Sequence, residues 1–343
     1  MEAKKEIIEA FQLHNHFIII SHQNIDGDGL GSMLATFFFL KEEGKESFMV
    51  QDEAIPYFYE FLPGKEELLT LEEFYSLNSS SERDVVIVLD CSHPDRLGRL
   101  KELCNGASLL VNIDHHPDNA RFGDINWVVP DSPSSTLLVY ELIKEAGVKI
   151  SSDMAINLLT GFVTDTGGFQ FVDMDSRLLQ VVEDLINSGA SLAQIMRYAF
   201  HFRRLEALKL LGRALDHLFY DEDFRFSVIY LTKEDFEACG AQEEDSEGIV
   251  DYGLYIPGAE LSLFFKEVED GSFRVSLRSQ EERDILPIAH YFGGGGHHKA
   301  AGFKIEGDFP RVKEEVLSVV RKFLSNPSSL TEEVKKESAG RNT

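Results

Sequence analysis

The sequence predicts an α/β protein: a larger N-terminal domain built on a parallel sheet, joined by a long helix to a smaller C-terminal α/β domain. Three observations predict it. Short apolar runs recur and lead into polar or acidic residues: Phe17–Ile20, Val85–Leu89 before Asp90, and Ser108–Ile113 before Asp114. Runs of this kind are strands buried on both faces, and helical segments alternate with them, as βαβ units require. At 343 residues the chain is long for one domain, and its composition changes after a helical stretch ending near Leu218. The expected division is a catalytic domain over 1–190, a linker helix over 191–218, a second domain over 219–324 and a tail over 325–343.

Composition narrows the function. Lys and Arg number 33 against 59 Asp and Glu, a formal net charge of −26. This argues against long duplex DNA or RNA as a partner, because such binding draws most of its affinity from basic side chains neutralising phosphates. A small anion, locally neutralised by metal ions, stays within reach. Hydrophobic residues make up 43%, ample for buried cores, yet no run approaches the ~18 apolar residues of a membrane span. Met1-Glu2-Ala3-Lys4-Lys5 leads into Glu6 and Glu9 rather than a signal-peptide core. Cys91, Cys104 and Cys239 are widely spaced without a CxxC pair, so reduced thiols in a cytoplasmic protein are expected, not disulfides or a thiolate zinc site.

In chain order, residues 5 to 13 read as a helix and Phe17–Ile20 as the first strand. The strand runs into Ser21-His22-Gln23-Asn24-Ile25-Asp26-Gly27-Asp28-Gly29-Leu30-Gly31-Ser32, expected as a loop before a helix from Met33 to Leu40. Strand, glycine-rich loop and helix is also the layout of a dinucleotide fingerprint. Here, however, the glycines fall as GxGxG, and two aspartates stand where a pyrophosphate would need backbone NH groups. As a metal loop the same residues make sense. His22, Asp26 and Asp28 offer one nitrogen and two carboxylates within seven residues, and glycine lets the backbone bend so that they converge.

Residues 46 to 77 give a short strand and a helix, interrupted at Pro56 and Pro63-Gly64, and Ser79-Ser80-Ser81 reads as a polar loop. The next two strands end at Asp90 and at Asp114-His115-His116. A lone aspartate after a strand is ordinarily a turn or cap residue, and a lone His-His pair is ordinarily two loop side chains. Three such strand ends argue otherwise, because ligands of open parallel sheets bind beyond the carboxyl ends of the strands. Ser132 to Thr136 opens a helix that runs to about Ala146 and stops at Gly147. Its free NH groups could receive a phosphate, plain N-capping being the commoner role. A second helix begins near Ser152 and ends at Thr164-Asp165-Thr166-Gly167-Gly168. Asp165 there opposes the helix dipole unless a cation sits beside it.

Residues 175 to 188 form an amphipathic helix, and Ser191 to Leu218 reads as one long helix bearing Arg197, Arg203, Arg204, Lys209 and Arg213, ordinarily a solvated linker face. The smaller domain alternates strands Phe224–Leu231, Leu261–Val268 and Ser272–Arg278 with helices near 233–239, 246–254 and 284–292. Its pointed feature is Gly293-Gly294-Gly295-Gly296-His297-His298-Lys299-Ala300-Ala301-Gly302-Phe303. Four glycines can turn NH groups inward as an anion-binding nest, with His297 and Lys299 as donors beside it. The GxxxxGK[ST] order of a Walker A loop is absent. Arg278, at the end of a strand, offers a planar fork for a phosphate. The polar tail from about Ser325 reads as disordered.

Together these motifs resemble the DHH phosphoesterase superfamily, in the subgroup carrying a DHH-associated C-terminal domain. The resemblance rests on His22 with Asp26-Gly27-Asp28, on Asp90, on Asp114-His115-His116, on Asp165 in Thr-Asp-Thr-Gly, and on the glycine-histidine segment with Arg278. It spans nearly everything from Phe17 to Phe303. Ile25 departs from it, standing where the subgroup usually has proline, which bears on loop stiffness more than on ligation.

The resemblance implies two divalent ions, usually manganese, with magnesium also suited to an oxygen-rich donor set. Two such ions would keep five clustered aspartates ionised. It implies His22 and Asp26 on one ion, Asp28, His115 and Asp165 on the other, and Asp90 bridging. His116 would face the substrate phosphate and Asp114 would orient the histidine pair. Arg278, Gly294, Gly295, Gly296, His297 and His298 would grip the other end of the nucleotide across a cleft between the domains. The implied activity is hydrolysis of very short oligonucleotides to mononucleotides, as in nanoRNases, which also remove the 3'-phosphate from pAp. The implied partners are therefore short single-stranded oligonucleotides or pAp, with no membrane and with a homodimer left open. A stand-alone phosphodiesterase acting on c-di-AMP or pApA is the enzymatic rival that the same motifs would serve. A single-strand exonuclease would want a further OB-like module or basic channel, and a family II pyrophosphatase would lack the glycine-histidine segment. A module that merely senses nucleotides would need an incomplete metal set, whereas every motif position is filled.

Overall fold

The computed structural model describes residues 2–77, 85–269, 271–280 and 283–326. The chain divides into two units between Phe202 and Arg203. The first contains α1 (Glu2–Leu13), β1 (His16–Ile20), α2 (Gly27–Glu42), β2 (Glu46–Val50), β3 (Leu68–Leu69), α3 (Leu71–Leu77), β4 (Val85–Leu89) and α4 (Lys101–Cys104). These are followed by β5 (Leu109–Asp114), β6 (Ile125–Val128), α5 (Ser135–Glu145), α6 (Ser152–Asp165), α7 (Ser176–Asn187) and α8 (Leu192–Met196).

The strands lie in the order β3-β2-β1-β4-β5-β6, and every neighbouring pair is parallel. β1 pairs with β4 although two strands intervene in sequence, so the sheet grows outward in one direction from β1 and in the other from β4. That is the switch point beyond which open α/β sheets hold their ligands. Alternation along the strands feeds two cores. Phe17, Ile19, Val85, Ile87, Leu89, Val111 and Ile113 join side chains of α2, α5 and α6. Ile18, Ile20, Val86 and Val88 face the opposite layer. Burial on both faces is why these runs are wholly apolar, each large side chain contributing about 1.5–3 kcal/mol.

α2 starts at Gly27 rather than at the expected Met33. Asp26 caps it, its carboxylate accepting from the NH groups of Asp28 and Gly29 at 3.0 Å each. The glycines therefore serve close packing within a helix and not a bending loop. A Cβ on Gly31 would lie 2.5 Å from the Asn157 carbonyl oxygen of α6, and one on Gly29 would lie 2.6 Å from Ser21 Oγ. β6 was not expected from the sequence, being a short edge strand with a polar residue inside it.

The single helix expected over 191–218 is broken. α8 passes into a π-helical turn over Arg197–His201, Phe202 is extended, and α9 (Leu205–Asp216) starts anew after Arg204. The cause is tertiary: Arg204 is tied to Asp245 by Nε–Oδ1 and Nη2–Oδ2 bonds of 3.1 and 2.8 Å, and Leu210 and Ala214 belong to a core of the second unit. The residues expected as a linker thus divide between the two units.

The second unit continues with β7 (Phe219–Asp221), β8 (Phe226–Leu231), α10 (Lys233–Cys239), β9 (Leu261–Glu269), β10 (Ser272–Ser279), α11 (Leu286–Tyr291), β11 (Gly295–Gly296), β12 (Ala300–Glu306) and α12 (Phe309–Ser325). Its sheet runs β11-β12-β10-β9-β8-β7, with β8 and β9 parallel and the other pairs antiparallel. Cores cover both faces. β12 and α12 were not expected from the sequence. The serine loop at 79–81 and the tail from 327 onward lie outside the described residues. Among the described residues no helix is long and apolar enough to cross a membrane.

Candidate metal centre

The first unit gathers the candidate residues around the strand ends at its switch point. His22 follows β1, Asp90 follows β4, and Asp114 closes β5 with His115 and His116 after it. Asp26 caps α2, Asp28 lies in its first turn, and Asp165 ends α6. Their ligand atoms form three groups, each within 4.8 Å: His22, Asp26 and Asp90; Asp28, His115 and Asp165; Asp90, Asp114 and His116.

Asp90 joins these groups. Its φ of 54° lies in the left-handed region, which aspartate tolerates better than most residues, and its NH donates to the Ile113 carbonyl at 3.0 Å. Its Oδ2 is 3.5 Å from His22 Nε2, and its Oδ1 is 3.5 Å from His115 Nε2. One carboxylate therefore faces two imidazoles through two different oxygens.

Backbone carbonyls aim those imidazoles. His22 Nδ1 lies 2.7 Å from Gln23 O, and His115 Nδ1 lies 3.0 Å from Ser132 O. A carbonyl only accepts, so each Nδ1 carries a proton and each Nε2 is left to hold a second proton or a cation. His22 Nε2 is buried without a hydrogen-bond partner, with Asp26 Oδ1 at 3.8 Å. His115 Nε2 faces Asp28 Oδ2 at 3.7 Å and Asp165 Oδ2 at 3.5 Å. These separations are longer than hydrogen bonds and approach the ~3 Å between adjacent ligands of one ion at metal–oxygen bonds of ~2.1 Å. The donor set fits divalent cations.

Without a cation, protons stand in. Burial raises Asp28 well above the ordinary carboxylate range, and Asp90 and Asp165 repel it further. Burial also pushes Asp165 up to about 7 against the pull of His115. For the histidines burial acts downward, yet the carboxylates prevail: Asp26 and Asp90 raise His22 to about 10, and Asp165, Asp28 and Asp90 raise His115 to about 10. The crevice holds negative charge that must be neutralised by one means or the other.

The N-terminus of α5 is capped, the commoner of the two roles the sequence offered: Ser134 Oγ accepts from Leu137 N at 3.1 Å, and Asp28 rather than a phosphate occupies the remaining NH groups. Ser135 N donates to Asp28 Oδ2 at 2.6 Å, and Thr136 N and Oγ1 donate to Asp28 Oδ1 at 2.9 and 2.7 Å. Ser135 Oγ donates to Asp90 Oδ1 at 3.1 Å. A carboxylate at a helix N-terminus answers both the free NH groups and the dipole.

Asp114 orients His116 and not the pair, since His115 takes its direction from Ser132. Its Oδ1 accepts from His116 Nδ1 at 2.7 Å, and its Oδ2 accepts from Asn119 Nδ2 at 2.5 Å. Burial would raise Asp114, but His116 and Asn119 hold it below the ordinary carboxylate range. Asn119 also donates to Asn112 Oδ1 at 2.9 Å, so a lattice of amides underlies the acid. Sequence reasoning missed Ser135 and Thr136 as anchors of Asp28, and Asn112, Asn119 and Arg96 altogether. Arg96 Nη1 lies 3.4 Å from His116 Nε2; the available signal was a basic residue in the turn just after the Asp90 strand end.

In the second unit Arg278 lies on β10, with Nε 3.6 Å from Asp251 Oδ1. The glycine segment is not the open nest that was expected. The NH groups of Gly293, Gly294 and His297 bond to the carbonyls of His290, Ala289 and Ala300 at 3.0, 2.8 and 2.7 Å, and Gly295 and Gly296 pair with Gly302 and Ala301. The glycines are needed for a tight hairpin, since a Cβ on Gly294 would lie 2.1 Å from the Gly302 carbonyl oxygen. His298 Nδ1 is 3.0 Å from Asp284 Oδ2. Ala300, which pairs with Arg278, brings the hairpin and the arginine to one end of this sheet.

Comparison with known proteins matches residues 16–162 to the DHH family, N-terminal domain, and residues 228–326 to the DHHA1 domain. The chain is 32% identical over 331 residues to the bifunctional oligoribonuclease and PAP phosphatase NrnA of Thermus thermophilus, covering 96% of each. It is 29% identical to the protein of the same name from Bacillus subtilis, over 88% of this chain and 93% of that one. The crystal structure of an exopolyphosphatase-related protein from Bacteroides fragilis superposes with a TM-score of 0.87 at 26% identity, covering 94% of this chain and 97% of the other. With both domains matched in order and relatives aligned along nearly its whole length, the chain belongs to the DHH family, in the branch that carries a DHHA1 domain.

Proposed function

We propose that this protein is a metal-dependent phosphoesterase that hydrolyses very short oligonucleotides to mononucleotides and removes the 3'-phosphate from pAp. The relatives aligned over most of the chain are named for these two activities. The observation that carries the reading is Asp90, whose two oxygens face separate histidine–carboxylate groups. In this reading His22 and Asp26 hold one divalent ion, Asp28, His115 and Asp165 hold the other, and Asp90 serves both. We assign manganese, because oxygen-rich ligation with some imidazole suits it, or magnesium, better than zinc. When bound, such a pair would supply a water of lowered pKa and neutralisation of charge for displacement at phosphorus.

The chain's own residues set the geometry beforehand. The Gln23 and Ser132 carbonyls fix two imidazoles, the start of α5 fixes Asp28, and Asp114 keeps the proton of His116 on Nδ1 so that Nε2 is presented to the substrate. Pre-set polar groups need no reorganisation when charge develops. Arg278, His297 and His298, on and beside the hairpin of Gly294, Gly295 and Gly296, bind the remainder of the nucleotide in this proposal. The three cysteines are free, in keeping with a cytoplasmic site of action.

The test is a panel assay of the manganese-loaded protein on dinucleotides, longer RNA, pAp, c-di-AMP and pyrophosphate. Dinucleotides and pAp should turn over fastest. A clear preference for c-di-AMP would replace this reading with that of a cyclic-dinucleotide phosphodiesterase, and inertness toward the whole panel would end it.

A further inference from the structure

We infer that Arg96 is a catalytic residue that grips a non-bridging oxygen of the scissile phosphate beside His116. The inference rests on the phosphoesterase reading of the site. Arg96 lies in the 3-10 turn Pro94–Leu100 that follows β4. Its backbone is fixed at both ends of its own peptide units: the carbonyl accepts from Gln23 N at 2.7 Å, and the NH donates to His93 O at 3.0 Å. Gly98, at φ 55°, passes against Gln23 so closely that a Cβ there would lie 2.2 Å from Gln23 Nε2. The turn after β4 is thereby locked to the loop that bears His22, and the two together set Arg96 at the switch point.

The side chain is placed but not neutralised. Nη1 lies 3.4 Å from His116 Nε2, yet among the described residues Arg96 makes no ion pair. Arg99, in the same turn, pairs with both Asp52 and Glu72. In a chain with 59 acidic residues against 33 basic ones, a guanidinium that borders an acidic crevice without a carboxylate partner is matched to an anion that arrives from outside.

The position of His116 says where that anion would meet Arg96. Asp114 accepts a hydrogen bond from His116 Nδ1 at 2.7 Å, and Arg96 Nη1 stands 3.4 Å from Nε2, so the guanidinium lies on the side of the ring that faces the substrate in this reading. Arg96 has five NH donors in a rigid fork, and a single contact to His116 leaves an edge for bidentate contact with phosphate. Its interaction with the phosphomonoester of pAp, which carries up to one more negative charge than a diester, should be the stronger of the two.

The experiment compares wild type, R96Q, R96K and R96A, all loaded with manganese, on a dinucleotide and on pAp, and titrates each with inorganic phosphate by calorimetry. R96Q should lose on the order of 10²-fold in kcat/KM on the dinucleotide, in line with removal of one pre-set charge-stabilising donor, and more than that on pAp. R96K, which keeps the charge without the fork, should fall between. Millimolar guanidinium should restore R96A severalfold while leaving wild type unchanged, which a purely structural role would not allow. An R96Q variant within threefold of wild type on both substrates overturns the inference, as does a loss that guanidinium leaves untouched in R96A. Should R96Q fold poorly, R96K decides: phosphate binding weakened by about tenfold supports the assignment, and unchanged binding overturns it. Failure of the wild type on both nucleotides would instead strike the functional reading, and the phosphate titration would still judge Arg96 by itself.

Discussion

The two units treat their candidate site side chains in opposite ways. In the first, Asp28, Asp90, Asp114 and His115 are at most 3% exposed, and each is held by a strand end, a helix N-terminus or a backbone carbonyl. In the second, the His298 side chain is 63% exposed and Arg278 is partly open, while the glycine hairpin bonds its NH groups to itself. Buried charges are tolerated only when neutralised, so the first unit is organised around cations. Exposed charges cost little in the absence of a ligand. In the proposed reading the second unit contributes affinity and the first contributes chemistry.

The sharpest way to break this comparison is Asp90→Ala. It should reduce turnover by on the order of 10³-fold or more, because charge stabilisation worth several kcal/mol would be lost at both donor groups at once. Circular dichroism should stay native, since removing one of several mutually repelling carboxylates relieves the metal-free fold. Wild-type turnover in this variant would refute the bridging assignment.

Proton competition should give the next largest effect. Asp165 is raised to about 7 by burial, so its protonated form contributes stability that is complete below pH 3.8 and lost as pH rises through about 7. His22 and His115, both raised to about 10, contribute stability that is complete below pH 6.5 and lost as pH rises through about 10. The metal-free protein should therefore weaken as pH rises from 4 to 10. Manganese takes the place of those protons, so its affinity should rise by about tenfold or more per pH unit between pH 6 and 8. Calorimetric titration across that range checks it, and a flat or falling affinity would show that ions bind elsewhere.

Arg278→Ala sharpens the contrast from the other side. It should raise KM by about tenfold with little change in kcat, as expected from losing one charge-assisted hydrogen bond to a remote part of the substrate. A fall in kcat alone would move Arg278 into the chemical step. The smallest effect belongs to Gly294→Ala, which forces a methyl group into the Gly302 backbone and should destabilise the second unit by about 1–3 kcal/mol. The manganese-dependent stabilisation of the first unit should survive. Its loss in thermal melts would mean that the two units do not respond separately.

Much of the metal centre was legible in the chain because topology places it. A parallel sheet sends every strand end to the same edge, so His22, Asp90 and the Asp114-His115-His116 run had to meet once Phe17–Ile20, Val85–Leu89 and Leu109–Ile113 were strands. Ligand types at strand ends are a local property, and local properties are written in sequence. Packing partners are not. That Gly29 and Gly31 lie inside a helix, that α5 closes on Asp28, and that Arg204 breaks a helix by turning to Asp245 all depend on which segment arrives alongside.

The sequence by itself determined the alternating elements, the order of the acidic motifs and the strongly acidic charge balance, because periodicity and composition need no partner. Only the tertiary structure decided which oxygen of Asp90 faces which imidazole, that the four glycines fold into a self-bonded hairpin, and that Arg96 stands beside His116. Those are matters of distance between residues far apart in the chain, and distances of that kind exist only after the cores on both faces of each sheet have closed.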